Sequence, residues 1–296
     1  MTEYFNVAGH GFSLTLPAKS ALWATLDNYA PFRTEEAETV FALALEDAGD
    51  GDWEPVLVSN EGPGEPVINV YRQEGRWKFE MAPVSGMPVC GRLVCDEGFR
   101  KGSLQLLDDG RNGRFCTDNA LMLMYAFRTA SLGTLEMHAS VTVRAGEGYL
   151  FLGRSGAGKS THSRLWREHL PGSTLLNDDN PIVRVLPDGE VRVYGSPWSG
   201  KTPCYINASA PVAAMVRIVQ APENKLTRCP LVEAYAQLYS SCSSLKGEDG
   251  LADAFHQTLT GVVSRVPGYV LRCRADREAA LVCAEGIRRD REKEEG

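Results

Sequence analysis

Tyr149-Leu150-Phe151-Leu152-Gly153-Arg154-Ser155-Gly156-Ala157-Gly158-Lys159-Ser160, continuing through Thr161 to His169, decides how this chain is read. Tyr149–Leu152 is a short apolar run with the character of a buried strand, and Thr161–His169 has a helical pattern. Between them, residues 153–160 match G-x-x-x-x-G-K-[ST] at every position. Glycines let the backbone curl so that its N–H groups point inward. The helix that follows presents its positive end to the same space, so the segment is built to hold phosphate. Strand, loop and helix in this order predict an α/β arrangement.

Working outward, Met137–Val143 reads as a second strand, joined to Tyr149–Leu152 by the turn Arg144-Ala145-Gly146-Glu147-Gly148. Downstream, Leu175–Leu176, Ile182–Val185, Val191–Tyr194, Ala213–Val219 and Tyr269–Arg272 are strand-like. Helices are expected at Leu231–Ser243, at Leu251–Val263 and from Asp276 onward. Residues 1–116 have a different texture. Phe5–Leu16, Thr39–Leu45, Pro66–Tyr71, Trp77–Met81, Gly91–Cys95 and Ser103–Leu107 are alternating or apolar runs between turn-rich stretches. A helix over Asp118–Leu132, stopped by Gly133, opens the remainder. The expected division is a β-rich segment at 1–116 and a nucleotide-binding domain at 117–296.

Four groups of residues carry chemistry. In the loop, Gly153, Ser155, Gly156, Ala157, Gly158, Lys159, Ser160 and the following Thr161 form the cofactor-binding set. Lys159 is placed to reach β- and γ-phosphates, and the Ser160 hydroxyl to ligate Mg²⁺. Asp178-Asp179 lies about 20 residues beyond the loop, where a carboxylate at a strand end belongs in phosphoryl transfer. Flanking Asn177 and Asn180 would equally suit a solvent-facing turn. His138 stands alone in Met137-His138-Ala139-Ser140, a setting in which a histidine is more often structural. Lys201, in Gly195-Ser196-Pro197-Trp198-Ser199-Gly200-Lys201-Thr202-Pro203, offers a cation to a transferred phosphoryl group or to an anionic substrate, or is an ordinary exposed lysine.

Taken together, Met137-His138-Ala139-Ser140, the loop at 153–160 and Asp178-Asp179 resemble the core shared by HPr kinase/phosphorylase and ATP-dependent phosphoenolpyruvate carboxykinase. That resemblance spans Leu135 to Arg184. It implies an α/β HPr-kinase-like C-terminal domain beside the β-rich N-terminal segment. It also implies ATP and Mg²⁺ as cofactors, Asp178 as base, Asp179 with Ser160 as metal contacts, and His138 near the metal and phosphates. The activity so implied is transfer of the γ-phosphoryl group of ATP to a hydroxyl of a protein, peptide or small molecule. The alternatives are a carboxykinase-like lyase, which the chain is short for, and a non-catalytic ATP sensor.

Composition sets the outer limits. The 296 residues are 43% hydrophobic and 23% charged, as in ordinary globular proteins. A net charge of −7 argues against a dedicated nucleic-acid partner. No apolar run approaches the roughly 20 residues of a membrane span, and no leader pattern opens the chain, so no membrane partner is expected. Eight cysteines without CxxC spacing read as reduced thiols of a cytoplasmic protein, and a homo-oligomer is left open.

Overall fold

The computed structural model describes residues 1–49, 51–58, 65–200, 202–243 and 249–295, without the side chains of 249–251 and 295. The chain divides into two compact units, Met1–Thr129 and Ala130–Gly296. It is an α/β protein with one large mixed sheet in each unit. All eight cysteines are free thiols. Among the described residues, no helix is long and apolar enough to cross a membrane.

In the first unit the strands are β1 (Thr2–Val7), β2 (His10–Thr15), β3 (Arg33–Thr34), β4 (Phe41–Leu45), β5 (Glu54–Leu57), β6 (Val67–Gln73), β7 (Arg76–Ala82), β8 (Gly91–Asp96) and β9 (Lys101–Leu106). Their order in the sheet is β3-β1-β2-β4-β9-β8-β7-β6-β5. The run Phe5–Leu16 is therefore a hairpin and not one strand. Ala8 and Gly9 take φ of 51° and 79°, the left-handed pair that a tight two-residue turn needs. Helix α1 (Gly113–Thr129) packs on β4, β8 and β9. Its Tyr125 meets Phe12 and Phe41 edge-on and donates its hydroxyl to the Val7 carbonyl at 2.9 Å. These contacts assign α1 to the first unit, so the break falls after Thr129 and not at Cys116. The helix also starts earlier than Asp118, because Asp108 accepts from the Asn112 backbone N–H and holds the chain entering the first turn.

The second unit contains β10 (Thr134–Glu136), β11 (Ala139–Arg144), β12 (Glu147–Leu152), α2 (Lys159–His169), β13 (Thr174–Asp179), β14 (Ile182–Val185), β15 (Val191–Tyr194), β16 (Ser209–Gln220), β17 (Lys225–Arg228), α3 (Leu231–Ser240), α4 (Asp249–Val263), β18 (Gly268–Cys273) and α5 (Arg277–Glu295). The strand order is β10-β14-β15-β16-β12-β11-β13, and β18 also joins β16 and carries β17 at its other side. β12, β16 and β18 run parallel, so their carboxyl ends lie at one side of the sheet.

Strand alternation explains the two covered faces. Tyr149 and Phe151 of β12 pack with Leu165 and Trp166 of α2 and with Ala280 and Ile287 of α5. Leu150 and Leu152, on the opposite face, pack with Leu238 of α3 and Leu259 of α4. Burying both faces makes β12 an almost continuous apolar run, as parallel strands require.

Candidate active site

The loop 153–158 connects β12 to the first turn of α2 and turns on glycines. Gly153, Gly156 and Gly158 have φ of 144°, 74° and 106°, a region that L side chains rarely enter. A Cβ on Gly153 would also stand 2.9 Å from that of Ala157. Helix α2 begins at Lys159, and no side chain caps its N-terminus. The N–H groups of its first turn have no partner within the helix, and the helix dipole adds to their pull on an anion. The helix is pinned from behind, where the Ser163 and Ser140 hydroxyls lie 2.6 Å apart, joining α2 to β11.

Lys159 is almost wholly buried. Its Nζ lies 3.0 Å from the Gly153 carbonyl, to which it donates, and 2.9 Å from His138 Nε2. Burial lowers its pKa, while the charges of Asp179 and Asp178 oppose that shift. His138 Nε2 is also 3.2 Å from Asp179 Oδ1. One ring nitrogen can accept from Lys159 or donate to Asp179, not both. The tautomer of the ring therefore decides which neighbour Nε2 binds.

His138 is not in a strand. The expected run Met137–Val143 is strand only from Ala139 onward, as β11, while β10 ends just before it at Glu136; β10 pairs with β14, and β11 pairs with β12 and β13. Met137-His138 is the step between these two branches, and the His138 backbone N–H is held by the Ser241 carbonyl at 2.6 Å. That step leaves the imidazole half exposed beside the loop.

Asp178 and Asp179 are the last two residues of β13, facing Ser140 and Ala139 of β11. They belong to the sheet and not to a solvent turn. A bulge at Leu176 shifts the register just before them. Asp179 has φ 144°, a strained value for a non-glycine residue. Its carboxylate accepts from Asn180 Nδ2 at 3.2 Å. Asp178 is buried, and among the described residues its carboxylate makes no hydrogen bond.

Residues 195–200 press against this pair. Gly200 N–H and Ser199 Oγ both donate to the Asp178 carbonyl, at 2.9 and 3.1 Å. A Cβ on Gly200 would reach 3.0 Å from Asp179 Oδ2. Trp198, which the sequence places in this loop, is buried and serves packing. Its backbone carbonyl accepts from Asn177 Nδ2, and Ser196 Oγ reaches the Asn180 carbonyl at 2.6 Å. Lys201 lies outside the described residues.

Three participants escape a reading of the sequence. Asn177 and Ser196 clamp the loop to β13, yet each looks there like a common turn residue. Glu136 is the third. It is fully buried at the end of β10, and among the described residues neither carboxyl oxygen has a hydrogen-bond partner within normal geometry. Burial pushes its pKa up to about 7; the Asp179 charge adds to that, while the Ser243 side chain and His138 oppose it. His162, by contrast, is a packing residue. Burial takes its pKa down to about 4, and its neutral Nε2 accepts from Trp166 Nε1 at 3.0 Å.

Two cavities flank the loop. The larger, about 830 Å³, is bounded by His138, residues 153–157, the end of β16 and α3. The smaller, about 370 Å³, lies against the start of α2 and the carboxyl ends of β16 and β18. Gln220 lines both and donates to the Gly156 carbonyl at 3.1 Å, forming a partition.

No family model matches the chain, and no curated protein matches it. Among solved structures it is similar to the HPr(Ser) kinase/phosphatase from Coxiella burnetii, at 14% identity and a TM-score of 0.33. The match covers 54% of this chain and 99% of that one.

Proposed function

We propose that this chain transfers the γ-phosphoryl group of ATP to a hydroxyl. The observation that carries the reading is one connected set: a glycine loop opening a helix, Lys159 on His138, and His138 on Asp179, with Asp178 beside it. The loop N–H groups and Lys159 take the phosphate chain, releasing Lys159 from the Gly153 carbonyl. Asp178 accepts the proton of the attacking hydroxyl. The oxygen of that hydroxyl bonds to the γ-phosphorus as the bond to the β,γ-bridging oxygen breaks, and ADP leaves. Positioning and fixed charge supply nearly all of the acceleration.

Mg²⁺ fits the residues present. Among the described residues no group of three or more His, Cys, Asp or Glu could cage a metal alone. An exposed Ser160 hydroxyl and the Asp179 carboxylate are hard oxygen donors of the kind that hold Mg²⁺ together with phosphate oxygens. When bound, the ion neutralises charge on the β- and γ-phosphates. Asp179 and Ser160 then serve as its protein contacts, and Asp178 remains the base.

The test is a MgATP titration followed by thermal melting, with ADP release measured in parallel. Wild-type protein is expected to be stabilised and Lys159→Ala not. Equal stabilisation of both would sink the reading.

A further inference from the structure

We infer that the acceptor enters the 830 Å³ cavity and is a small molecule carrying a carboxylate or phosphate close to its reacting hydroxyl, held by Arg217 and Arg154. This rests on the phosphoryl-transfer reading above. Of the two cavities, only the larger is lined by His138, the residue that links Lys159 to Asp179. The acceptor hydroxyl must meet the γ-phosphate at that cluster, opposite the departing ADP. The smaller cavity touches Thr161 at the start of α2 and the ends of parallel strands β16 and β18, a usual place for the nucleoside. The Gln220–Gly156 hydrogen bond keeps the two spaces apart.

The chemistry of the acceptor follows from the charges in the larger cavity. Arg217 stands opposite Leu152 in the parallel β12–β16 register, directly beside the loop that Arg154 belongs to. Both arginines are exposed, and among the described residues neither guanidinium makes an ion pair or hydrogen bond. The carboxylate lining the cavity, Glu233 on α3, accepts instead from Gln237 Nε2 at 3.3 Å. Two guanidinium groups without an anion, facing one space, match a bidentate carboxylate or phosphate. The volume falls in the range of small-molecule sites, about 300–1,000 Å³.

Phosphoryl transfer from MgATP to glycerate, glycerol 3-phosphate, glycerol and a serine-containing peptide tests this directly. Transfer to glycerate or glycerol 3-phosphate faster than to glycerol is expected, and which of the two is preferred names the anion. Arg217→Gln should raise the KM of that acceptor roughly ten- to a hundred-fold, with a far smaller change in the Kd for MgATP, and Arg217→Lys should recover part of the loss. Equal transfer to glycerol, transfer to the peptide alone, or no transfer to any probe while MgATP binding still depends on Lys159 would each overturn the inference. So would an Arg217→Gln protein whose KM for the acceptor is unchanged. If MgATP binds Lys159→Ala as it binds wild type, the failure lies with the phosphoryl-transfer reading itself.

Discussion

Among the described residues each unit of this protein buries one lysine to the same degree, and the two have opposite surroundings. Lys78 in the first sheet and Lys159 in the second are both 8% exposed. Lys78 Nζ lies 2.9 Å from a Glu80 carboxylate oxygen and 4.0 Å from the centre of the Tyr71 ring, with Trp53 at 5.6 Å. Its charge is compensated by an anion and by aromatic faces. Among the described residues Lys159 Nζ makes hydrogen bonds only with an imidazole and a carbonyl, and burial lowers its pKa. A buried cation without a contacting anion is costly unless an anion arrives. Burial thus says nothing of role by itself. What compensates the charge separates a lysine satisfied within its own sheet from one left without a contacting anion, to which we assign the phosphate.

The comparison is broken or sharpened most strongly at Asp178, the base we propose beside Lys159. Asp178→Asn keeps the shape and removes the proton acceptor. Turnover is expected to fall roughly 10²–10⁴-fold while the Kd for MgATP stays near wild type. Loss of MgATP binding in Asp178→Asn and its retention in Asp179→Asn would exchange the two roles.

Next comes Lys159→Ala against Lys78→Met, followed by thermal melting with and without MgATP. At a ligand concentration of about 100 times Kd, binding stabilises a protein by about 2.7 kcal/mol. That increment should vanish in Lys159→Ala and survive in Lys78→Met. A Lys78→Met protein that no longer responds to MgATP would erase the distinction between the two lysines.

A third measurement sets the Lys159 cluster against pH. Glu136 has a folded pKa near 7, above the ordinary carboxylate range, so the folded state binds its proton more tightly than the unfolded chain does. Its contribution to stability is complete below the unfolded pKa and is lost as pH rises through about 7. Glu136→Gln should therefore gain on wild type as pH rises from about 5 to 8, by an amount on the order of 2 kcal/mol. Denaturant melts at several pH values check it; a constant difference would show that Glu136 is not held protonated.

The smallest effect expected is on basal stability. Lys78→Met breaks a largely buried ion pair but leaves Arg92 3.7 Å from Glu80 to compensate the carboxylate, so a loss of about 1 kcal/mol is anticipated. A loss several times larger would mean that the ring contacts contribute more than the ion pair.

Much of the second unit was legible because its signals are local. Positions 153, 156 and 158 are glycines because the backbone there has positive φ, and the loop's ends are a buried apolar strand and a helix. Ala145-Gly146, with φ of 53° and 81°, makes the hairpin expected between β11 and β12. The first unit resisted more. Ala8-Gly9 forms the same kind of turn, yet an alanine within an apolar run carries no turn signal, and two strands read as one.

By itself, then, the sequence determined the strand, glycine loop and helix, along with the acidic pair's distance from them along the chain. Each of those depends on backbone conformation and residue type over a few positions. Tertiary structure alone decided which side chains meet. His138 faces Lys159 because β10 and β11 join different branches of the sheet, and Trp198 is buried because Asn177 and Ser196 bind its loop to β13. Glu136 acquires its raised pKa from the same long-range packing. Contacts between residues tens of positions apart form only when distant elements bury their apolar faces together, and no local pattern in the chain encodes that.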